Sequence, residues 1–131
     1  MAQEHVEIVQ RLIAALNERD VDQYVALCTP DFEYVSPLAP LEGINRGETG
    51  VRALFSSLAE AATSFRIGVE QLRALEGDRV LALTRVTAVS HRGVSWEQPS
   101  ASLYDFAGAK VRRIEIFLDR AEALEAAGVQ E

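Results

Sequence analysis

The sequence predicts an α+β domain, and three observations carry the prediction. Apolar residues recur at helical spacing through the first half of the chain, and the period changes to two in the second half. The period-two segments are separated by Glu76-Gly77-Asp78, Arg92-Gly93 and Ala107-Gly108, connections short enough to require antiparallel hairpins. The 131 residues fit one domain, 1–131, with no linker in it. Helices first and a long antiparallel sheet afterwards is an α+β layout.

The first helix is predicted over 5–18, with Val6, Val9, Leu12, Ile13 and Leu16 on one side and Glu7, Gln10, Arg11 and Glu18 on the other. Asp20 followed by Gln23 reads as a capping box for a short second helix, 21–28. That helix presents Val21, Tyr24, Leu27 and Cys28 to the core and stops at Pro30. Residues 32–36 alternate as a strand. Pro37, Pro40, Gly43 and Gly47 make the next stretch a loop. A third helix, 49–62, carries Val51, Leu54, Phe55, Leu58 and Ala62 in a stripe. Strands follow at 64–75, 79–91, 94–106 and 111–118, and a last helix, 120–127, ends at Gly128, a natural left-handed cap.

A net charge of −7 and no basic stripe speak against nucleic acid, which demands cations to displace counterions from phosphates, and against an anionic membrane surface. Arg112 and Arg113 are neighbours on a strand, so they point to opposite faces. The opening MAQEHVEIVQ carries charges where a signal peptide needs an apolar run, and the expected compartment is the cytoplasm. Cys28, the single cysteine, reads as a buried structural thiol. His5 and His91 are the two histidines, and without HExxH or a cysteine cluster no metal is expected. No GxGxxG, P-loop or GxSxG is present, and no cofactor is expected.

Motifs spread along nearly the whole chain resemble the SnoaL-like (polyketide cyclase-like) branch of the nuclear transport factor 2-like superfamily. They are Arg19-Asp20-Val21-Asp22, Thr29-Pro30-Asp31-Phe32, Arg46-Gly47-Glu48-Thr49-Gly50-Val51-Arg52, Gly77-Asp78-Arg79-Val80, Lys110-Val111-Arg112-Arg113 and the closing run Asp119 to Gly128. The resemblance implies a cone: a curved antiparallel sheet of about five strands, three helices on its concave face and a short C-terminal helix. It does not name a reaction, because the superfamily includes isomerases, cyclases, epoxide hydrolases, dehydratases and transport factors. Overlaid on its ketosteroid isomerases, the base falls at Ser36, the oxyanion acid at Ser102 and the tyrosine at Leu12, so all three groups are replaced. The same overlay implies that Tyr34, Ser36, Ser102, Tyr104, Ile114, Ile116 and Leu118 line the cone.

With Arg92-Gly93 as the turn, Val89 lies opposite Trp96, Thr87 opposite Gln98 and Arg85 opposite Ser100. One face then holds Leu81, Leu83, Arg85, Thr87, Val89 and His91 with Trp96, Gln98, Ser100, Ser102 and Tyr104. The other holds Val80, Ala82, Thr84, Val86 and Ala88 with Glu97, Pro99, Ala101, Leu103 and Asp105. Pro99 lacks a ladder donor, and a bulge there would flip the register on one side of it.

The expected ligand is therefore a small apolar oxygenated molecule, bound by Tyr34, Ser36, Arg85, Trp96, Gln98, Ser102, Tyr104, Ile116 and Leu118. Catalytic candidates are Tyr34 and Tyr104 as donors, Arg85 as anion partner and His91 as base. Each has a structural reading beside the chemical one. Arg85 pairs with a local acid, His91 is an exposed hairpin residue, and the tyrosines and Trp96 are packing aromatics. Two functions stand: a cofactor-independent isomerase, cyclase or lyase, and a non-catalytic binding or interaction module. The outer face, read as Val80, Ala82, Val86, Ala88, Ala101, Leu103 and Phe117 among Thr84, Glu97, Asp105 and Glu115, is too apolar for water, so a homodimer through it is expected. The alternative is that the terminal helix folds back over that face.

Overall fold

The computed structural model describes residues 2–129. Its elements are α1 (Ala2–Asn17), α2 (Val21–Ala26), β1 (Cys28–Val35), α3 (Ala39–Glu42), β2 (Asn45–Arg46), α4 (Gly47–Ala61), β3 (Ser64–Leu75), β4 (Arg79–Val89), β5 (Ser95–Ala107), β6 (Lys110–Phe117) and α5 (Arg120–Ala127). The strands form one curved, unclosed sheet in the order β2-β1-β6-β5-β4-β3. β3 to β6 pair as successive antiparallel hairpins, as their short connections require. β1 differs: it lies parallel to β6, between that strand and β2. α3 and β2 arise in the stretch read as loop, and β2 pairs with β1 as the sixth strand.

The principal core lies between α1, α2, α4 and the inner face of the sheet. Val9, Leu12, Phe32, Val51, Val80, Val111 and Ile114 are almost inaccessible there. A second, smaller cluster sits on the outer face, where Ala123 and Ala127 of α5 cover Leu81, Ala101 and Leu103. The terminal helix thus folds back over part of the face that was read as open. Asp119 caps it through a 2.8 Å bond from the Ala121 N–H, and Gly128 ends it at φ 74°. No helix among the described residues is long and apolar enough to cross a membrane.

Local chemistry fixes how the helices approach the sheet. The Asp20 carboxylate accepts from the Gln23 N–H at 3.1 Å, which makes half of the predicted capping box. The other half is pre-empted, since the Asp20 N–H is spent on the Ala15 carbonyl at 2.8 Å. Asn17, the last residue of α1, pairs with the backbone of β3 as a strand would. Its amide donates to the Ile67 carbonyl at 2.9 Å, and its carbonyl accepts from the Ile67 N–H at 2.8 Å. Two partly buried backbone groups depend on that side chain, so Asn17→Ala is expected to cost about 1–3 kcal/mol in urea unfolding. A loss too small to detect would show that water replaces both bonds.

Candidate functional site

The site begins at a turn. β4 and β5 are joined by a three-residue loop, His91-Arg92-Gly93, closed by the bond from the Ser90 N–H to the Val94 carbonyl at 2.9 Å. The Ser90 hydroxyl accepts from Arg92 N–H and Val94 N–H, and Gly93 takes φ 81°, which suits the left-handed last position of such a loop. One residue more than the expected two-residue turn slips the register by one. Arg85 is therefore opposite Pro99, Thr84 opposite Ser100, Ala82 opposite Ser102 and Val80 opposite Tyr104. The register runs unbroken through Pro99, with no bulge there.

A one-residue slip turns a whole strand over relative to its partner. The β5 half of the predicted inner face stands, with Ser100, Ser102 and Tyr104 inside. The β4 half reverses: Val80, Ala82, Thr84, Val86 and Ala88 face the helices, and Leu81, Leu83, Arg85 and Thr87 face out.

Between the helices and this inner face lies a cavity of about 70 Å³ open to water-sized molecules. Leu12, Ile13 and Leu16 of α1, Tyr24 of α2, Tyr34 of β1, Phe65 and Ile67 of β3, Thr84 and Val86 of β4, Ser100, Ser102 and Tyr104 of β5, and Ile114 and Ile116 of β6 line it. All three tyrosines of the chain converge on it. The Ser102 hydroxyl donates to the Tyr104 oxygen at 2.9 Å, which leaves the Tyr104 proton free to point elsewhere. Thr84 and Ser100 share a hydrogen bond at 2.8 Å. Among the described residues no hydrogen bond reaches the Tyr24 or Tyr34 hydroxyl, and both border the open space of the cavity rather than being sealed in like the unpaired Thr29 hydroxyl. No lining residue is a carboxylate, a histidine or a cation.

Burial raises all three phenols above their ordinary value of 10.0. Tyr104 goes up to about 12. Tyr34 rises by burial and by its neighbour Tyr104, and Tyr24 by burial and then by Tyr34, Cys28 and Tyr104. At neutral pH the cavity therefore presents protonated donors. A phenol whose folded value lies above its unfolded one lends stability that is complete below about pH 10 and lost as pH rises through about 12. Because the chain has no other tyrosine, tyrosinate absorbance reads the cavity alone. It is expected to appear together with loss of the circular-dichroism signal, above pH 10. Absorbance that develops around pH 10 with the fold intact would contradict the burial.

The other predicted site residues lie elsewhere. Arg85 is on the outer face, where it pairs with Glu70 at 2.9 Å and Glu97 at 3.1 Å, so it cannot serve the cavity as an anion partner. His91 is exposed in the turn, its Nε2 3.0 Å from the Ala59 carbonyl at the end of α4 and its Nδ1 3.3 Å from the Thr63 hydroxyl. It ties the hairpin to the helix and does not line the cavity. Trp96 is 48% exposed, and Gln98 shares the inner face with its partner Val86 but lies outside the lining. Ser36 accepts from the Leu38 N–H at 3.2 Å and joins Leu118 in a separate groove with Pro37, Pro40 and Phe117. Of the three positions that replace the isomerase groups, Leu12 and Ser102 line the cavity and Ser36 does not. Sequence reasoning placed Tyr24 in the core without a site role and put Thr84 on the wrong face. The available signal was a polar-tipped residue inside the apolar stripe of a short helix.

The sequence model of the SnoaL-like domain family matches residues 9–114. No curated protein matches the chain. Among solved structures, a nuclear transport factor 2-like protein of unknown function from Burkholderia pseudomallei is 19% identical, with 95% of this chain and 97% of that one covered and a TM-score of 0.80. A nuclear transport factor 2-like protein from Burkholderia xenovorans is 26% identical, with 97% of each chain covered and a TM-score of 0.73. A protein of ketosteroid isomerase-like fold from Catenulispora acidiphila, solved in complex with trimethylamine, is 16% identical, with 95% and 94% covered and a TM-score of 0.76. These likenesses show a shared fold.

Proposed function

Since the chain belongs to the SnoaL-like domain family, we propose that it binds a small, neutral, oxygenated molecule in the tyrosine-lined cavity. The observation that carries this reading is the convergence of Tyr24, Tyr34 and Tyr104 on one apolar space, with hydroxyl protons that no described residue accepts. Buried donors seek acceptors, so the complementary group is a carbonyl, ether or hydroxyl oxygen. Size narrows the ligand. An engineered protein cavity of about 150 Å³ holds benzene, and 70 Å³ is near half of that. A ring ligand such as a cyclic ketone therefore overfills the enclosed space, so it either projects through the mouth or moves the apolar walls apart.

Donors without a base favour binding and oxyanion stabilisation over proton abstraction. A cofactor-independent isomerase, cyclase or lyase would use Tyr34 and Tyr104 to hold an enolate oxygen while the substrate or water carried the proton. The lack of any carboxylate or histidine in the lining favours the second reading, a non-catalytic binding module. A pair of probes tests the binding. By NMR titration, cyclopentanone is expected to bind more tightly than cyclopentane, which has the same ring and no oxygen. Equal affinities, or no saturable binding of the ketone, would overturn the proposal. Turnover of any member of a ketone, epoxide and hydroxy-acid panel would select the enzyme over the binding module.

The protein acts in the cytoplasm as a single-domain homodimer. The part of the outer face that α5 does not cover supports the pairing: Leu83 and Phe117 are only partly buried there, on either side of the buried Ala101, and the Arg85–Glu97 ion pair stands beside them as a polar rim. Light scattering at micromolar concentration is expected to give twice the chain mass of 14.4 kDa. A mass near 14.4 kDa would show that α5 covers enough of the face to keep the chain monomeric.

A further inference from the structure

The polar strip of the cavity wall is fixed from the opposite side of the sheet. Thr84 and Ser100 stand directly opposite each other on β4 and β5. Each is 3% exposed, and their hydroxyls are joined in the cavity wall. At this point the hydrogen-bonded ladder gives out on both flanks. β6 pairs with β5 only as far as Ala101, so Ser100 has no β6 neighbour. On the other side the β3 register slips between Val69 and Gln71, which face Thr84 and Leu83.

Buried backbone carbonyls at such a place need donors from outside the ladder. Arg120, the first residue of α5, supplies them. Its Nε donates to the Ser100 carbonyl at 3.2 Å and its Nη2 to the Thr84 carbonyl at 2.5 Å. The same Nη2 donates to the Glu70 carboxylate at 2.7 Å. Glu70 is the extra residue of the β3 bulge, which turns its side chain to the outer face, and Arg85 holds its second oxygen at 2.9 Å. A planar guanidinium reaches two carbonyls and a carboxylate together, which a single ammonium on a flexible stem does not.

We propose that Arg120 is a positioning residue for the ligand cavity: from the far side of the sheet it fixes the backbone of Thr84 and Ser100, and through it the hydroxyl pair that a ligand meets. The part of this that concerns ligand rests on the binding function proposed above. The part that concerns the hydroxyl pair does not. Arg79 provides the control, because it holds the other end of α5 through the Ala127 carbonyl at 3.1 Å and bonds neither Thr84 nor Ser100.

The test reads the Thr84 side chain directly, through three-bond NMR couplings to its methyl carbon in the intact protein. The native protein and Arg79→Met are expected to show one χ1 rotamer. Arg120→Met is expected to show averaging among rotamers and weaker binding of cyclopentanone. Arg120→Lys, which keeps the charge but loses the fork, is expected to average likewise and carries the test if the methionine variant does not fold. A single rotamer in the Arg120 variants would overturn the proposal. So would equal averaging in Arg79→Met, which would make loss of α5 docking the cause. If the native protein binds no cyclopentanone, the binding function fails, and the couplings still decide the role of Arg120.

Discussion

Phe32→Ala is expected to destabilise the fold by about 3–5 kcal/mol, the range for removing a buried phenylalanine. Phe32 is 1% exposed and belongs to β1, the strand that joins the last hairpin strand to the helices. Its ring stands edge-on to Tyr24 with centroids 6.3 Å apart, and Tyr24 in turn stands edge-on to Phe55 of α4 at 5.4 Å. Truncation therefore leaves a void where β1, α2 and α4 meet, and a close-packed interior closes such a void only in part. Stability of a small domain is about 5–15 kcal/mol, so the loss would consume a large share of it. Urea unfolding measures it. A loss below about 1 kcal/mol would mean that this part of the core is loosely packed.

Tyr34→Phe is expected to weaken cyclopentanone binding about ten-fold while leaving cyclopentane binding nearly unchanged. The variant keeps the ring and removes one hydroxyl that has no protein partner among the described residues. It therefore frees no buried group of the protein and isolates the bond to the ligand. Tyr24→Phe serves the same purpose from α2. Equal weakening for ketone and hydrocarbon would mean that the tyrosines shape the cavity without donating into it.

Much of the architecture was legible because periodicity and punctuation agree. Strand 64–75 and helix 120–127 have the predicted limits. Residues 37–47 hid α3 and β2, since Pro37, Pro40, Gly43 and Gly47 read as breakers while Pro40 sits in the tolerated first turn of α3. The parallel β1–β6 pair was not legible either, because no local signal reports which distant strand an isolated strand will join. Half of the candidate site was lost at a single turn. Arg92-Gly93 is compatible with two- and three-residue loops, and the bonds from the Arg92 and Val94 N–H groups to the Ser90 hydroxyl that favour the longer one were a signal the Arg-Gly pair alone did not carry. From that one residue follow the exclusion of Arg85 from the cavity and the inclusion of Thr84. Ser102, Tyr104 and Ile116 were placed by the family resemblance, and Tyr34 with them. The role of Arg120 depends on a bulge, a strand end and a helix start meeting in space, which the sequence does not announce.

The most direct test of the central claim is a crystal structure of the protein soaked with cyclopentanone. The ring is expected between Leu12, Phe65 and Ile114, with its oxygen within hydrogen-bond distance of the hydroxyl of Tyr24, Tyr34 or Tyr104. A ketone bound in the cavity with its oxygen turned to Ile67 or Val86, or a cavity that stays closed while the ketone sits only on the surface, would contradict it.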